Sequence, residues 1–403
     1  MMKKMLTAAL LSLSLVGILF PASGTAAAEP FSDIAGHWAK ANIESAVKAG
    51  FVSGYPDGTF KPDANVSRAE FLAIMTRASE LSDAGAVEPF EDVASTHWAV
   101  DAINRGIGMG FIHTSDFGKT FAPDQALTRA EMVKWLVSGL AKADSSFVDA
   151  LRDTRETILP FTEYFPGKFK ESDIPYIAVS RGTGLVGGFP DGSFGPDRTT
   201  TRAEVVVLLE RYLGVEGTKA DTYRALNELR EVGTTGTNLA TIGNVAGELR
   251  WLNGFDRKES PVYTLFNKSL VVKRELGDVK VNRFIVIDPR MTSIYVNMFL
   301  DDQMKEFGMS RDVYQYFSEV TATFNRDVDS STFAESISLA GSSVRHNLPK
   351  VYGYMAIHAS EGNPMLKKGV TTRFWSSHTI TYGLSMSITT SDNKTGGFVI
   401  EKE

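Results

Sequence analysis

Apolar residues recur at helical spacing in several short stretches of this chain, and the same punctuation follows them. Ile43, Ala46 and Val47 form a stripe that stops at Gly50, the pattern of an amphipathic helix closed by a glycine. Phe51-Val52 then leads into Gly54-Tyr55-Pro56-Asp57-Gly58, where proline presets one turn position and glycine supplies positive φ. Beyond Phe60 and Pro62, Ser67 stands three residues ahead of Glu70. This is a capping box and predicts a second helix, with Phe71, Ile74, Met75 and Ala78 as its buried stripe.

The order is used three times. The second copy carries Phe90-Glu91-Asp92-Val93, His97-Trp98-Ala99, Ile103, Gly110-Phe111, Phe121, Pro123 and Thr128-Arg129-Ala130-Glu131, with a turn, Ser115-Asp116-Phe117-Gly118, that is one residue longer between its phenylalanines. The third keeps Ile177, Gly182, Gly188-Phe189-Pro190-Asp191-Gly192, Phe194, Pro196 and Thr201-Arg202-Ala203-Glu204, but has Glu171-Ser172 in place of His-Trp. A repeat of about 60 to 70 residues decides architecture before any single motif does. Three copies favour binding over catalysis, because adhesion gains from several sites.

Phe31-x-Asp33, His37-Trp38-Ala39, Gly54 to Gly58 and the Arg-Ala-Glu boxes together resemble the S-layer homology (SLH) domain, present as a triplet from Phe31 to Gly214. The resemblance implies an all-α, pseudo-threefold helical assembly that attaches exported bacterial proteins to cell-wall polysaccharide, notably polymers bearing pyruvylated N-acetylmannosamine. Residue chemistry is compatible with that ligand. Arg68, Arg129 and Arg202 each stand in the first turn of a capped helix, beside free amides at the positive end of its dipole. A pyruvyl carboxylate would suit such a guanidinium. Trp38 and Trp98 are candidate platforms for a sugar ring, and Asp33 and Asp92 candidate acceptors for its hydroxyls.

Each candidate has a structural alternative. Glu70, Glu131 and Glu204 read as caps, the tryptophans equally as core between repeats, the arginines as inter-repeat salt bridges, and His37 and His97 as structural hydrogen bonders. The third copy, lacking His-Trp, predicts unequal sites.

The whole chain reads as multidomain: a signal peptide over 1–28, units over 29–84 and 85–145, a connector over 146–168, a third unit over 169–218 with an alternative start near 161, and an α+β or mainly β domain over 219–403. In the last part Lys219 to Val232 is predicted helical and ends at Gly233-Thr234-Thr235-Gly236. Val281 to Ile287, Ser293 to Leu300, Val351 to His358 and Thr379 to Thr390 are predicted strands, with Arg311 to Phe324 as a helix among them. No family resemblance attaches to this region.

The first residues, Met1-Met2-Lys3-Lys4, an apolar run from Met5 to Phe20 and small residues to Ala28, form a secretory signal. No later run approaches the roughly 20 apolar residues of a membrane span. The chain is therefore expected at the bacterial cell wall or surface. It has no cysteine, so its domains need adequate apolar cores. The net charge of -6 becomes -8 when Lys3 and Lys4 are removed, which argues against nucleic acid. His346, His358 and His378 lack metal spacing, and no Gly-x-Ser-x-Gly or Gly-x-x-x-x-Gly-Lys occurs; no cofactor or metal is expected. The leading reading is anchoring to a secondary cell-wall polysaccharide or peptidoglycan-linked glycan, with residues 219–403 displayed as a surface domain and self-associating through strand edges. The alternative is a tethered glycan or peptidoglycan hydrolase with its site in residues 220–403.

Overall fold

The computed structural model describes residues 31–83, 90–246, 248–252, 261–288, 290–302, 305–306, 313–337, 342–343, 350–356 and 365–401. The stretch read as a signal peptide, 1–28, lies outside them. Among the described residues no helix is long and apolar enough to cross a membrane.

The described residues between 31 and 215 are helical. The first unit contributes α1 (Lys40–Lys48) and α2 (Arg68–Ala78), and the second α3 (Val100–Gly108) and α4 (Arg129–Ala143). Then come α5 (Ser145–Asp153), α6 (Ile174–Gly182) and α7 (Arg202–Val215). All three capping boxes are formed, with Ser67, Thr128 and Thr201 accepting from the third helical amide while the glutamate reaches back. Gly50, Gly110 and Gly184 follow the first helix of each unit at φ 77, 79 and 76, the left-handed stop that glycine alone makes without strain.

The units are joined in a ring. Helix α3 packs on α2, α6 on α4, and α1 on α7, so each unit's first helix lies on the capped helix of another. At the centre the residues preceding the three caps exchange backbone hydrogen bonds. Val66 donates to Thr200 at 3.0 Å, Thr200 to Leu127 at 3.0 Å and Leu127 to Val66 at 2.8 Å. All three residues are buried, where an unpaired amide would be costly.

Past α7, helix α8 (Arg224–Thr235) ends at left-handed Gly236 and is followed by α9 (Leu239–Ala246). Strands β1 (Glu248–Leu252), β2 (Gly277–Ile287), β3 (Val313–Phe324), β4 (Ser342–Ser343), β5 (Thr371–Thr381), β6 (Met386–Thr389) and β7 (Thr395–Glu401) form two antiparallel sheets, ordered β1-β7-β6 and β2-β3-β5-β4. The molecule is thus a helical half joined to a half built on antiparallel sheet.

Three expectations need correction. Within the stretch assigned to a helix, Arg311 to Phe324, the described residues Val313–Phe324 are strand β3, whose pattern misleads because both faces are covered. Tyr314, Tyr316, Val320 and Phe324 enter one core while Phe317 enters the other, so no clean alternation survives. Ser293 to Leu300 holds a short helix, α10 (Val296–Phe299), instead of a strand. Val351 to His358 begins as the end of a 3-10 turn, Lys350–Tyr352, with His358 outside the described residues.

The two halves share one core. Ile285, Ile287, Phe317, Tyr295 and Trp375 belong to the same buried cluster as the helical units. Buried Glu228 of α8 accepts from Asn238, Ser293 and the Ile294 amide at 2.8, 2.6 and 3.1 Å. Burial pushes this carboxyl upward, and the three donors oppose the shift. Across the join Thr157 donates to the Leu229 carbonyl at 2.7 Å and Tyr295 to that of Ile158 at 3.1 Å, so the shared apolar core has polar groups satisfied where the halves meet.

Candidate functional site

Every unit's long turn is built on an acidic clamp. Asp33 accepts the Phe60 and Lys61 amides at 2.9 and 2.8 Å, and Asp92 accepts those of Phe121 and Ala122 at 2.8 and 2.6 Å. Lys61 and Ala122 sit at φ 56 and 53, a left-handed conformation that ordinary side chains resist. Partial loss of water works to raise the two carboxyls, yet the paired amides outweigh it and hold both below the ordinary 3.8. Both residues remain exposed, so lone pairs still face solvent.

The third unit makes the clamp with Glu163, which sequence reasoning missed. Its carboxylate takes the Phe194 amide at 3.0 Å and that of Gly195, at φ 69, at 2.8 Å. Phe161 packs on Phe194 with centroids 5.3 Å apart, as Phe90 does on Phe121 at 5.3 Å and Phe31 on Phe60 at 5.6 Å. The legible signal was Phe161-x-Glu163, the opening motif with one extra methylene. Glu163→Ala should strand two amides and cost about 2 kcal/mol, read as a lower thermal midpoint of the full chain; an unchanged midpoint would show the clamp to be dispensable.

The three arginines span unit boundaries. Arg68 donates to the Phe121 carbonyl at 2.6 Å and pairs with Glu131. Arg129 donates to Gly187 at 2.6 Å and lies over Phe189 and Phe194, 4.9 and 5.1 Å from their centroids. Arg202 returns to the first unit, donating to Phe60 and Ser53, both at 2.9 Å, and covering Tyr55 at 5.0 Å. Desolvation pulls Arg129 down from its ordinary value, with Glu204 opposing, and an arginine stays cationic regardless. All three are half-buried.

The tryptophans lie outside the core. Trp38 is 66% exposed and Trp98 63%. Their histidine neighbours are structural: His37 and His97 each accept, at Nδ1, the amide two residues on, at 3.2 Å. Trp98 borders a groove of about 200 Å³ with Ser53, Tyr55, Ile74, Arg77 and Arg202. Three units therefore build one site, with a turn and α2 from the first, an indole from the second and a guanidinium from the third. Arg77, also unforeseen, anchors the groove wall by donating to the Phe51 carbonyl at 2.6 Å, and Arg211 approaches the Leu185 carbonyl in the same way at 3.4 Å. In the third unit Ser172 stands at the repeat position of the indoles, and Glu131 already pairs with the Arg68 guanidinium.

Among the described residues no three metal-ligating side chains come together. Burial pushes His378 down to about 4, and its ring stacks on Tyr316 at 5.0 Å. His346 lies outside the described residues.

The S-layer homology domain pattern matches residues 30–72, 89–133 and 170–206. The cellulosome-anchoring protein of Acetivibrio thermocellus is 30% identical over 41% of this chain and 36% of its own length. The S-layer protein of Bacillus licheniformis is 28% identical over 302 residues, 70% of this chain and 32% of its own. An amylopullulanase of Thermoanaerobacterium thermosulfurigenes is 29% identical over 46% of this chain and 10% of its own. This chain thus spans between 10% and 36% of the length of these three relatives.

Proposed function

The chain is an S-layer homology domain protein with three units between residues 30 and 206, and from that premise we propose that it is held non-covalently on a pyruvylated secondary cell-wall polymer of a bacterium. The observation that carries this reading is Trp98, 63% exposed beside half-buried Arg202 in a shared groove. An indole in a groove beside a guanidinium offers an apolar face next to a cation, the pairing that a sugar ring bearing a carboxylate needs. The pyruvyl carboxylate would meet Arg202 while the sugar ring lies on Trp98. By the same repeat, Trp38 and Arg129 would serve a second groove, and Arg68, already paired with Glu131 and matched in the repeat with Ser172 where the other units have an indole, the weakest. Asp33 and Asp92 would hold the turns and offer their remaining lone pairs to hydroxyls. The cyclic bonds among Val66, Leu127 and Thr200 support a pseudo-threefold arrangement of the units.

Residues 219–403 would be the displayed surface domain. Among the described residues the outer edge of β1 pairs with no strand, which supports self-association. The amylopullulanase favours the second reading, a tethered glycan hydrolase; clearing of sacculi by the full chain would establish it.

Cosedimentation with purified sacculi tests the anchor. The protein should pellet with untreated sacculi and stay in solution after mild acid has hydrolysed the ketals. Equal pelleting with both would reject the pyruvyl assignment, and pelleting with neither would reject anchoring.

A further inference from the structure

A crevice of about 450 Å³ opens where α8, β2 and β5 meet, remote in sequence from the groove at Trp98. We propose that it is a second saccharide site and that it takes a sugar carrying a single carboxylate. Two of its lining arginines, Arg283 and Arg373, meet on one carboxylate beneath it. Glu319, 3% exposed, accepts at Oε2 from both Arg283 Nη1 at 2.9 Å and Arg373 Nη2 at 2.7 Å. One carboxylate oxygen serves two guanidinium groups, and Glu156 is the carboxylic residue of the lining itself.

Arg283 is spent within the protein. It stands opposite Glu319 at a bulge in β2 and also donates to the Glu156 carbonyl at 3.2 Å. Arg373 is different: its side chain is 56% exposed, lines the crevice and is tied at Nη2 to Glu319. A guanidinium with an open fork matches a ligand carboxylate in bidentate fashion.

The walls decide what bears that carboxylate. Asn267, Asn282, Thr234 and Tyr263 line the crevice, so amides, a hydroxyl and an aromatic face surround the cation. Asn282 donates to Asn267 Oδ1 at 2.7 Å, which orients the pair and leaves the Asn267 amide nitrogen to donate elsewhere. Groups that both donate and accept suit a ring of hydroxyls, and the volume falls within the roughly 300–1,000 Å³ of small-ligand pockets. Glu156 borders both this crevice and a larger one of about 870 Å³ beside α5 and α6. Its carboxylate repels polyanions, which favours one charge per ligand, and the continuation gives room for a chain of sugars.

The test uses the full exported chain and three probes. N-acetylmuramic acid and N-acetylglucosamine differ by one lactyl carboxylate, and lactate supplies that carboxylate without the sugar. By calorimetry or ligand-observed NMR, N-acetylmuramic acid should bind at least about tenfold more tightly than either of the others. Arg373→Ala should abolish the preference, Arg373→Lys should retain part of it, and Trp98→Ala should leave it intact, which separates this site from the wall anchor. Equal binding of the two sugars, equal binding of lactate, or a preference that survives Arg373→Ala would overturn the proposal.

Discussion

Trp38→Ala combined with Trp98→Ala should abolish retention on sacculi and leave the thermal midpoint where it was. The two indoles are 66% and 63% exposed, so truncation opens no cavity and removes little buried surface. Their value lies in the ligand. An aromatic anchor at a binding site is worth about 2 kcal/mol or more, or roughly thirtyfold in affinity. Two distant sites combine nearly additively, so the double variant should lose roughly a thousandfold. The arginines are poorer targets, because Arg68, Arg129 and Arg202 tie carbonyls of other units and their loss would loosen the ring itself. Parental retention of the double tryptophan variant would refute sugar stacking.

Gly233→Ala should separate the two halves. Within an ordinary helix this change stabilises by about 1 kcal/mol. Here a Cβ would lie 2.0 Å from the Asp153 carbonyl oxygen and 3.2 Å from Thr154 Cα, where α5 ends against α8. Both obstacles are backbone and cannot rotate away. The cost should reach at least about 3 kcal/mol, visible as a lower thermal midpoint and as protease cleavage between the halves. Gly214→Ala is the matched control. It lies in α7 with nothing within 4 Å of its Cβ position, and the same substitution there should be neutral or stabilising. If both variants melt alike, the close approach of α5 and α8 does not carry the interface.

The boundary between legible and illegible follows the range of the interactions. Ser67 and Glu70 lie three residues apart and satisfy each other's backbone, so the cap is written locally and repeats at Thr128 and Thr201. Glycine stops and Pro-Asp-Gly turns are equally short-range. Strand β3 was misread because its environment, a sheet with a core on each face, is assembled from partners such as Arg283 and Arg373, 36 and 54 residues from Glu319. Glu163 escaped notice because a longer side chain and an early position masked a clamp whose partners, Phe194 and Gly195, lie 31 and 32 residues on.

The amino-acid order alone therefore determined the triplicate, its helices, its caps and its candidate cations, since each depends on neighbours within about one turn of chain. Tertiary structure decided that the indoles face solvent, that each guanidinium crosses into another unit, and that two arginines converge on Glu319. Those are facts of placement, set by which distant surfaces pack together, and no local pattern encodes them.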